Sequence, residues 1–411
     1  MVVNKLGEAI SLTGEVDSSF KLGPLEFLGI QPTLFCNLNC SYCFIPEEDR
    51  RTTKKITLEL VEQIAQRVFS SGLVDGTFTI AWAASEPLSM KPQFYEDAFA
   101  IIEKYNTSKT KIVHSFTTNA TLVNEEWCQF FARHDIYLAV SIDGPAFLHD
   151  RCRVTRDGKG THKRVLEGVR LLRQHEIPFA TISVLSYDGL DYADELYEFF
   201  RSEGIRGVSF NFDEADGMNP KSSMNRDGVV ERYERFLNRF FSLVEKDDSE
   251  LWVREFHGNK AMFTPEEFEK VRYAPPNYLA PNNQFVIPYA MINVDCEGRF
   301  STFTAELLRA KHHKYGDFHL GRIQDGPIEA AVHTEKFKDI WRDVAAGVRK
   351  CEESCPQFAF CGGGSPSNKY IENGSCDSME TLHCQLTTKS RVGVVQKQVL
   401  GHLQTLSGIP S

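Results

Sequence analysis

What this chain lacks narrows it first. No run of about 18 apolar residues occurs anywhere in its 411 residues, so no membrane-spanning helix is expected. The start, Met1-Val2-Val3-Asn4-Lys5-Leu6-Gly7-Glu8, has no basic head leading into a long apolar core, so no secretory signal is expected. Positive charge is not in excess: 46 Lys and Arg stand against 56 Asp and Glu, a formal net charge of -10, with no basic run. Phosphate backbones need clustered cations, so a nucleic-acid surface is not expected. Gly158-Lys159-Gly160-Thr161-His162 is not a phosphate loop, because the G-x4-G-K-[ST] spacing is missing. There is no internal repeat and no low-complexity segment. A cytoplasmic protein with a sizeable core, two or three domains and no membrane partner is expected.

Cysteine, by contrast, is abundant and unevenly placed. Of eleven cysteines, three lie within residues 36 to 43 and five within residues 351 to 384. Tight groups in a chain without a secretory signal read as metal or cluster ligands, not as a disulfide frame. Cys128, Cys152 and Cys296 stand alone and read as buried small hydrophobes.

From Phe27 the chain alternates β-rich runs with helical periods. Strands are expected at Phe27–Thr33, Thr77–Trp82, Lys111–Phe116, Ile136–Ser141, Phe179–Leu185 and Val208–Phe212. Between them, Leu60, Val61, Ile64 and Val68 share one helical face behind Thr57 as N-cap. Further helices are expected at Gln93–Tyr105, Asn124–Arg133, His162–His175, Tyr192–Glu203 and Val229–Val244. Six β/α units in a row predict an α/β fold with parallel strands, a partial (β/α)6 barrel of TIM type with its chemistry at the carboxyl ends of the strands. Residues 1–24 read as an arm, 25–244 as the barrel, 245–285 as a bridge and 286–411 as a second domain. Within the bridge a short helix is expected from Thr264 and Pro265 to about Arg272. Beyond it, Phe285–Val294 is β-rich, Asp295-Cys296-Glu297-Gly298 reads as a hairpin turn, and a helix is expected near Thr334–Ala346.

The first cysteine group, Cys36-x3-Cys40-x2-Cys43, directly follows the first strand. Three thiolates on one loop can hold three irons of a [4Fe-4S] cube and leave the fourth iron open. A zinc loop or three buried thiols are the other readings, but zinc wants a fourth ligand and no Cys or His follows until His114. The spacing, with Tyr42 beside the last cysteine, resembles the signature of the radical S-adenosylmethionine (SAM) enzymes, in which the open iron chelates SAM. That resemblance extends along the barrel. Ala84-Ser85-Glu86-Pro87 ends the second strand where the family carries Gly-Gly-Glu-Pro, which implies backbone near SAM and Glu86 at its ammonium. Two departures from glycine make a positive φ costly there. Thr118-Asn119-Ala120 is similar to the family's Thr-Asn-Gly turn at the SAM pocket. Ser141-Ile142-Asp143-Gly144-Pro145 with His149 and Arg153 resembles the peptide-modifying branch, which implies that Ser141 and Arg153 bind the SAM carboxylate. Val184 and Leu185 are expected to pack on the adenine. After the sixth strand come Asp213, Glu214 and Asp216, of which Glu214 is the first candidate for a catalytic base and Asp213 the second; a solvated acidic loop is the alternative.

The second group, Cys351-x3-Cys355-x5-Cys361-Gly362-Gly363-Gly364 with Cys376 and Cys384, resembles the SPASM domain, an extension that carries auxiliary Fe-S clusters. Ser365 occupies the place of the family's fourth cysteine, and Phe303 stands where a G-x4-C cysteine would follow Gly298. The resemblance therefore implies one auxiliary [4Fe-4S] cluster on Cys351, Cys355, Cys361 and Cys384, with Cys376 a spare or alternative ligand. A structural zinc would also suit four thiolates.

Taken whole, the chain is similar to the cyclophane-forming peptide maturases of the GrrM/OscB type, on the grounds of Cys361 to Tyr370 with Glu372-Asn373-Gly374, and of Gly298 to Phe303 with Glu306-Leu307. The resemblance implies a ribosomally synthesised precursor peptide with aromatic residues as substrate and a flavodoxin or ferredoxin as electron donor. It also implies removal of a Cβ hydrogen by a 5′-deoxyadenosyl radical, then closure of that carbon onto an aromatic ring. An anaerobic sulfatase maturase, which makes formylglycine, is the alternative enzyme. A zinc-stabilised peptide binder without catalysis is the non-enzymatic one.

Overall fold

The structure is a computed structural model. It describes all residues except 18–19, 216–218, 220–221, 247–249, 261–262, 264–281 and 408–411. The helix expected from Thr264 to Arg272 lies outside the described residues.

Six strands appear where alternation and β-branched content place them: β1 (Phe27–Ile30), β2 (Phe78–Trp82), β3 (Ile112–Thr118), β4 (Ile136–Ser141), β5 (Ala180–Leu185) and β6 (Gly207–Phe212). Two more join the same sheet. β7 (Trp252–Val253) pairs with β6, and β8 (Met291–Val294) pairs with β1, both parallel. β9 (Arg299–Thr302) folds back on β8 as a hairpin, and Gly321–Arg322 closes the far edge against β9. The sheet thus holds ten strands, eight of them parallel from β8 through β1 to β7. The boundary expected at residue 286 is bridged by main-chain hydrogen bonds. Where β1 meets β8, a Cβ on Gly29 would lie 2.6 Å from Asn293 Oδ1, so a larger residue there would require the Asn293 side chain to shift. The arm is also packed down, with Val2 and Ile10 in the main core.

The helices follow from their apolar stripes. In α1 (Leu58–Ser70), Leu60, Val61, Ile64, Ala65 and Val68 are buried, and Thr57 caps the amino end by accepting from Leu60 N at 3.1 Å. α2 (Pro92–Tyr105) and α3 (Glu125–Arg133) bury aromatic rings against β2 and β3: Trp82 and Tyr95 meet edge to face at 5.1 Å, Tyr95 and Phe116 at 4.8 Å. Truncating such a buried ring typically costs about 3–5 kcal/mol. Tyr95 also donates from its hydroxyl to Pro87 O at 2.9 Å, so this core directly braces the turn that carries Glu86.

On the opposite face of the sheet, Gly29, Thr79, Ser115, Thr117, Ile182, Val184 and Ser209 alternate with the buried set and stay half-buried. Small and short polar side chains leave that inner face hollow, whereas an ordinary eight-stranded barrel fills it with bulky residues.

In the carboxy-terminal region a long helix, Glu335–Ser354, is capped by Thr334 and runs beyond the expected Ala346 to carry Cys351. Short helices Phe358–Cys361, Pro366–Asn373 and Leu382–Cys384 then place the remaining cysteines.

Candidate active site

The Cys36–Cys43 loop leaves β1 at its carboxyl end and is stitched down mainly by backbone. Cys36 N donates to Arg50 O at 3.0 Å, Asn39 N to Val154 O at 2.8 Å and Ser41 N to Cys152 O at 3.0 Å. Arg156 donates to the carbonyls of Cys36 and Arg50, both at 2.6 Å, and lies over the Phe35 ring. Burial pushes the Cys36 thiol up to about 12 and the Cys40 thiol to about 11. The charges of Cys40 and Cys43 add to the rise at Cys36, as that of Cys43 does at Cys40, so the three sulfurs lie near enough to influence one another. Such thiols become thiolates only when a cation replaces their protons.

The turn after β2 lies against this loop. Ala84 and Ser85 take φ of 62° and 73°, the left-handed conformation that the family's glycines adopt without strain. Ala120, in the turn after β3, does the same at 56°. Ser85 Oγ donates to Leu34 O at 2.8 Å. Glu86 is buried, not solvated. Its Oε1 accepts from Thr118 Oγ1 at 2.7 Å and Leu88 N at 2.9 Å, and its Oε2 from Asn119 N at 2.8 Å. Burial pushes this carboxyl up to about 7 against the pull of those bonds. Glu86 thus ties the second and third strand ends together. Asn119 donates through Nδ2 to Asn37 Oδ1 at 2.9 Å, which extends the tie to the cysteine loop.

Beyond β4, Asp143 collects three neighbours. Its Oδ2 accepts from Arg153 Nε at 3.0 Å and from the Tyr42 hydroxyl, and its Oδ1 from Val184 N at 2.8 Å. The Arg153 guanidinium lies over the Tyr42 ring at 5.4 Å. Burial works against its charge, but Asp143, Tyr42 and Cys40 together more than offset that and raise its pKa. Ser141, also buried, ends β4 beside this group. His149 shapes the loop: Nδ1 accepts from Asp143 N at 3.3 Å and Nε2 meets Thr161 Oγ1 at 3.0 Å. Strand alternation separates Val184 from Leu185, leaving Val184 on the inner face and Leu185 in the core at 2% exposure.

The acidic end of β6 is organised, not loose. Asp213 accepts from Asn219 Nδ2 at 2.8 Å and Ser223 N at 2.9 Å. Glu214 reaches the carboxy-terminal region: Oε2 accepts from Asn368 Nδ2 at 2.7 Å, and Oε1 lies 3.0 Å from His383 Nδ1. Burial alone would raise its pKa, but His383 and Asn368 together hold it below the usual carboxylate range. Glu306 faces the same space and is pushed up by burial and by the Glu214 charge. Sequence reasoning missed Asn368, His383 and Glu306 as partners, because their contact with Glu214 joins residues far apart in the chain.

The second cysteine group surrounds a cavity of about 400 Å³. Cys351, Cys355, Cys361 and Cys384 all line it, and Cys376 does not. Cys376 is 1% exposed and bonds to Pro366 O at 3.6 Å instead. Gly362, Gly363 and Gly364 take φ of 61°, 102° and 74°, a run that side chains would strain, and their backbone folds round the Cys361 sulfur. Asn283 clamps this turn by donating to Cys361 O and Gly364 O, both at 2.8 Å. No three His, Cys, Asp or Glu side chains among the described residues converge at the spacing of a single ion. Four thiols spread round a cavity suit a polynuclear cluster better than one tetrahedral zinc. Phe303 is 1% exposed and stacks on Trp341, which Phe20 meets edge-on.

Comparison with known proteins agrees with this geometry. The profile of the Radical SAM superfamily matches residues 30–200. The uncharacterized protein sll1766 of Synechocystis sp. is 38% identical over 391 residues, spanning 94% of this chain and 94% of that protein. The chain belongs to the radical SAM superfamily. A cysteine-type anaerobic sulfatase-maturating enzyme of Clostridium novyi is 29% identical over 217 residues, spanning 52% of this chain and 57% of the enzyme. Among solved structures, native anSMEcpe with bound AdoMet superposes with a TM-score of 0.71 at 21% identity, covering 91% of this chain and 98% of its own. Streptococcus suis SuiB bound to its precursor peptide SuiA superposes with a TM-score of 0.57 at 17% identity, covering 89% of this chain and 77% of its own. The α/β radical SAM fold follows from these. Superfamily members use a [4Fe-4S] cluster and SAM, and the three thiols of the Cys36–Cys43 loop supply a fitting donor set. Among the described residues no helix is long and apolar enough to cross a membrane.

Proposed function

We propose that this radical SAM enzyme modifies a ribosomally synthesised precursor peptide, joining an aromatic ring carbon to the Cβ of a nearby residue with net loss of two hydrogens. Cys36, Cys40 and Cys43 would hold a [4Fe-4S] cluster, which with SAM would supply the radical chemistry that removes a hydrogen atom from the peptide. The surrounding residues bind and orient. Ser141 and the guanidinium of Arg153 take the SAM carboxylate, with Asp143 and Tyr42 fixing the fork from two sides. The backbone at Ala84 and Ser85 and the turn Thr118-Asn119 line the same pocket, and Val184 offers the adenine an apolar surface. Glu214 receives at Oε1 the ring proton released as aromaticity returns, and His383 at 3.0 Å stabilises its charge until then. An external flavodoxin or ferredoxin supplies the starting electron. Cys351, Cys355, Cys361 and Cys384 would hold one auxiliary [4Fe-4S] cluster, which would supply an acceptor for the electron that leaves with that proton.

The observation that carries this reading is the single four-thiol cavity, with Cys376 turned away and Phe303 sealed in apolar packing. Sulfatase maturation is the second reading, favoured by the name of the Clostridium novyi relative. Anaerobic reconstitution with SAM, a reductant and each candidate peptide separates the two. The crosslink predicts an aromatic peptide lighter by two hydrogens with a new ring closure. Formylglycine on a sulfatase peptide, and no change in the aromatic one, overturns the proposal.

A further inference from the structure

Lys369 lies within the Cys361 to Tyr370 stretch but has no role in the mechanism above. It sits on the helix Pro366–Asn373, is 3% exposed, and lines the same cavity as the four cysteines. The long helix makes room for it: a Cβ on Gly347 would lie 3.1 Å from Lys369 Nζ and 2.2 Å from Cys376 O. A buried ammonium requires a counter-charge. Among the described residues, no carboxylate lies within ion-pair distance of it. The acids nearby are engaged elsewhere: Asp343 with Lys314 and Tyr315, Asp377 with Lys350, and Glu380 with Lys389. Burial works against the ammonium, and what favours its charge is sulfur, Cys351 first and then Cys361 and Cys376. The two other cations of the cavity differ, since Lys389 is neutralised by Glu380 and Arg391 by Glu255.

We propose that Lys369 is the counter-charge of the auxiliary cluster and, through Cys351, a positioning residue that sets its reduction potential. The proposal rests on the reading of the cavity as a cluster site. One electron entering a thiolate-bound cluster adds one negative charge, taken here from the ring that loses its proton to Glu214. A fixed cation a few ångströms away favours the reduced state over the oxidised one and raises the potential. Among the described residues no carboxylate offsets a charge on Lys369, whereas Lys389 with Glu380 acts as half of a dipole.

The test is an EPR-monitored redox titration of the full chain carrying Cys36→Ala, Cys40→Ala and Cys43→Ala, reconstituted so that only the auxiliary site can hold iron. Lys369→Met is expected to lower the reduction equilibrium at least tenfold, about 59 mV for one electron. Lys369→Arg and Lys389→Met are expected to stay within about threefold of the parent, well inside that shift. Iron lost from Lys369→Met but kept in Lys369→Arg also supports a counter-charge. Full iron with an unchanged potential in Lys369→Met overturns the proposal, as does loss of iron from both Lys369 variants. A parent protein that takes up no iron overturns the cluster reading itself, and the proposal with it.

Discussion

The two cysteine regions solve opposite problems. The amino-terminal loop offers three thiols, is pinned by backbone to the ends of β2 and to the segment after β4, and opens toward a hollow inner face lined by short polar side chains. The carboxy-terminal cavity offers four thiols, is walled by helices, and holds a buried lysine with no carboxylate partner among the described residues. Three donors leave a coordination position for a reactant, and four close the coordination and leave only electron transfer. The difference predicts that the regions can be disabled separately.

The largest effect is expected from replacing Cys36, Cys40 and Cys43 with alanine. SAM cleavage should fall to background while about four of about eight irons per chain remain. Iron analysis with chromatographic detection of 5′-deoxyadenosine measures both, and continued cleavage would erase the distinction between the regions. Next, Cys384→Ala should lose the auxiliary iron and the peptide product while still cleaving SAM, whereas Cys376→Ala should keep both. Equal iron loss from the two variants would mean that Cys376 is a ligand after all. Glu214→Gln is expected to leave SAM cleavage intact and slow product formation by about 10²–10⁴-fold, read by mass spectrometry of the peptide.

Smaller effects test the scaffold that both regions share. Burial pushes the His114 and His149 imidazoles down to about 4. The unfolded chain therefore takes up protons first as the pH falls below about 6.5. Each imidazole should remove about 1.4 kcal/mol of stability per pH unit between about 6.5 and 4, visible in urea unfolding against pH, with none of that loss above pH 7. Smallest of all, Ala84→Gly should relieve the left-handed backbone, raising stability by up to about 1 kcal/mol with the loop otherwise unchanged. A drop in melting temperature would show that the alanine methyl makes contacts that outweigh the strain.

The barrel was legible because its signals are local. Ile136–Ser141 was bounded at both ends by alternation alone, and Thr57 announced its helix as a cap. Where contacts come from elsewhere, the pattern failed. β7 is two residues long, too short for any period to register. The helix from Glu335 runs past Ala346 to Ser354, with Gly347 inside it where the Cys376 carbonyl and the Lys369 ammonium crowd the place of a Cβ. Glu86 is buried and not the solvated carboxylate of the alternative reading, and its oxygens meet Thr118 and Asn119 some thirty residues on, which only the fold brings near.

The sequence by itself determined the β/α alternation and the two thiol groups, because periodicity and ligand spacing are written in consecutive residues. Only the tertiary structure decided which four of the five late cysteines face one cavity, that β8 joins β1 and makes one sheet of both regions, and that Glu214 meets His383. Those are contacts between distant parts of the chain, and they exist only once the sheet has curved and the helices have packed against it.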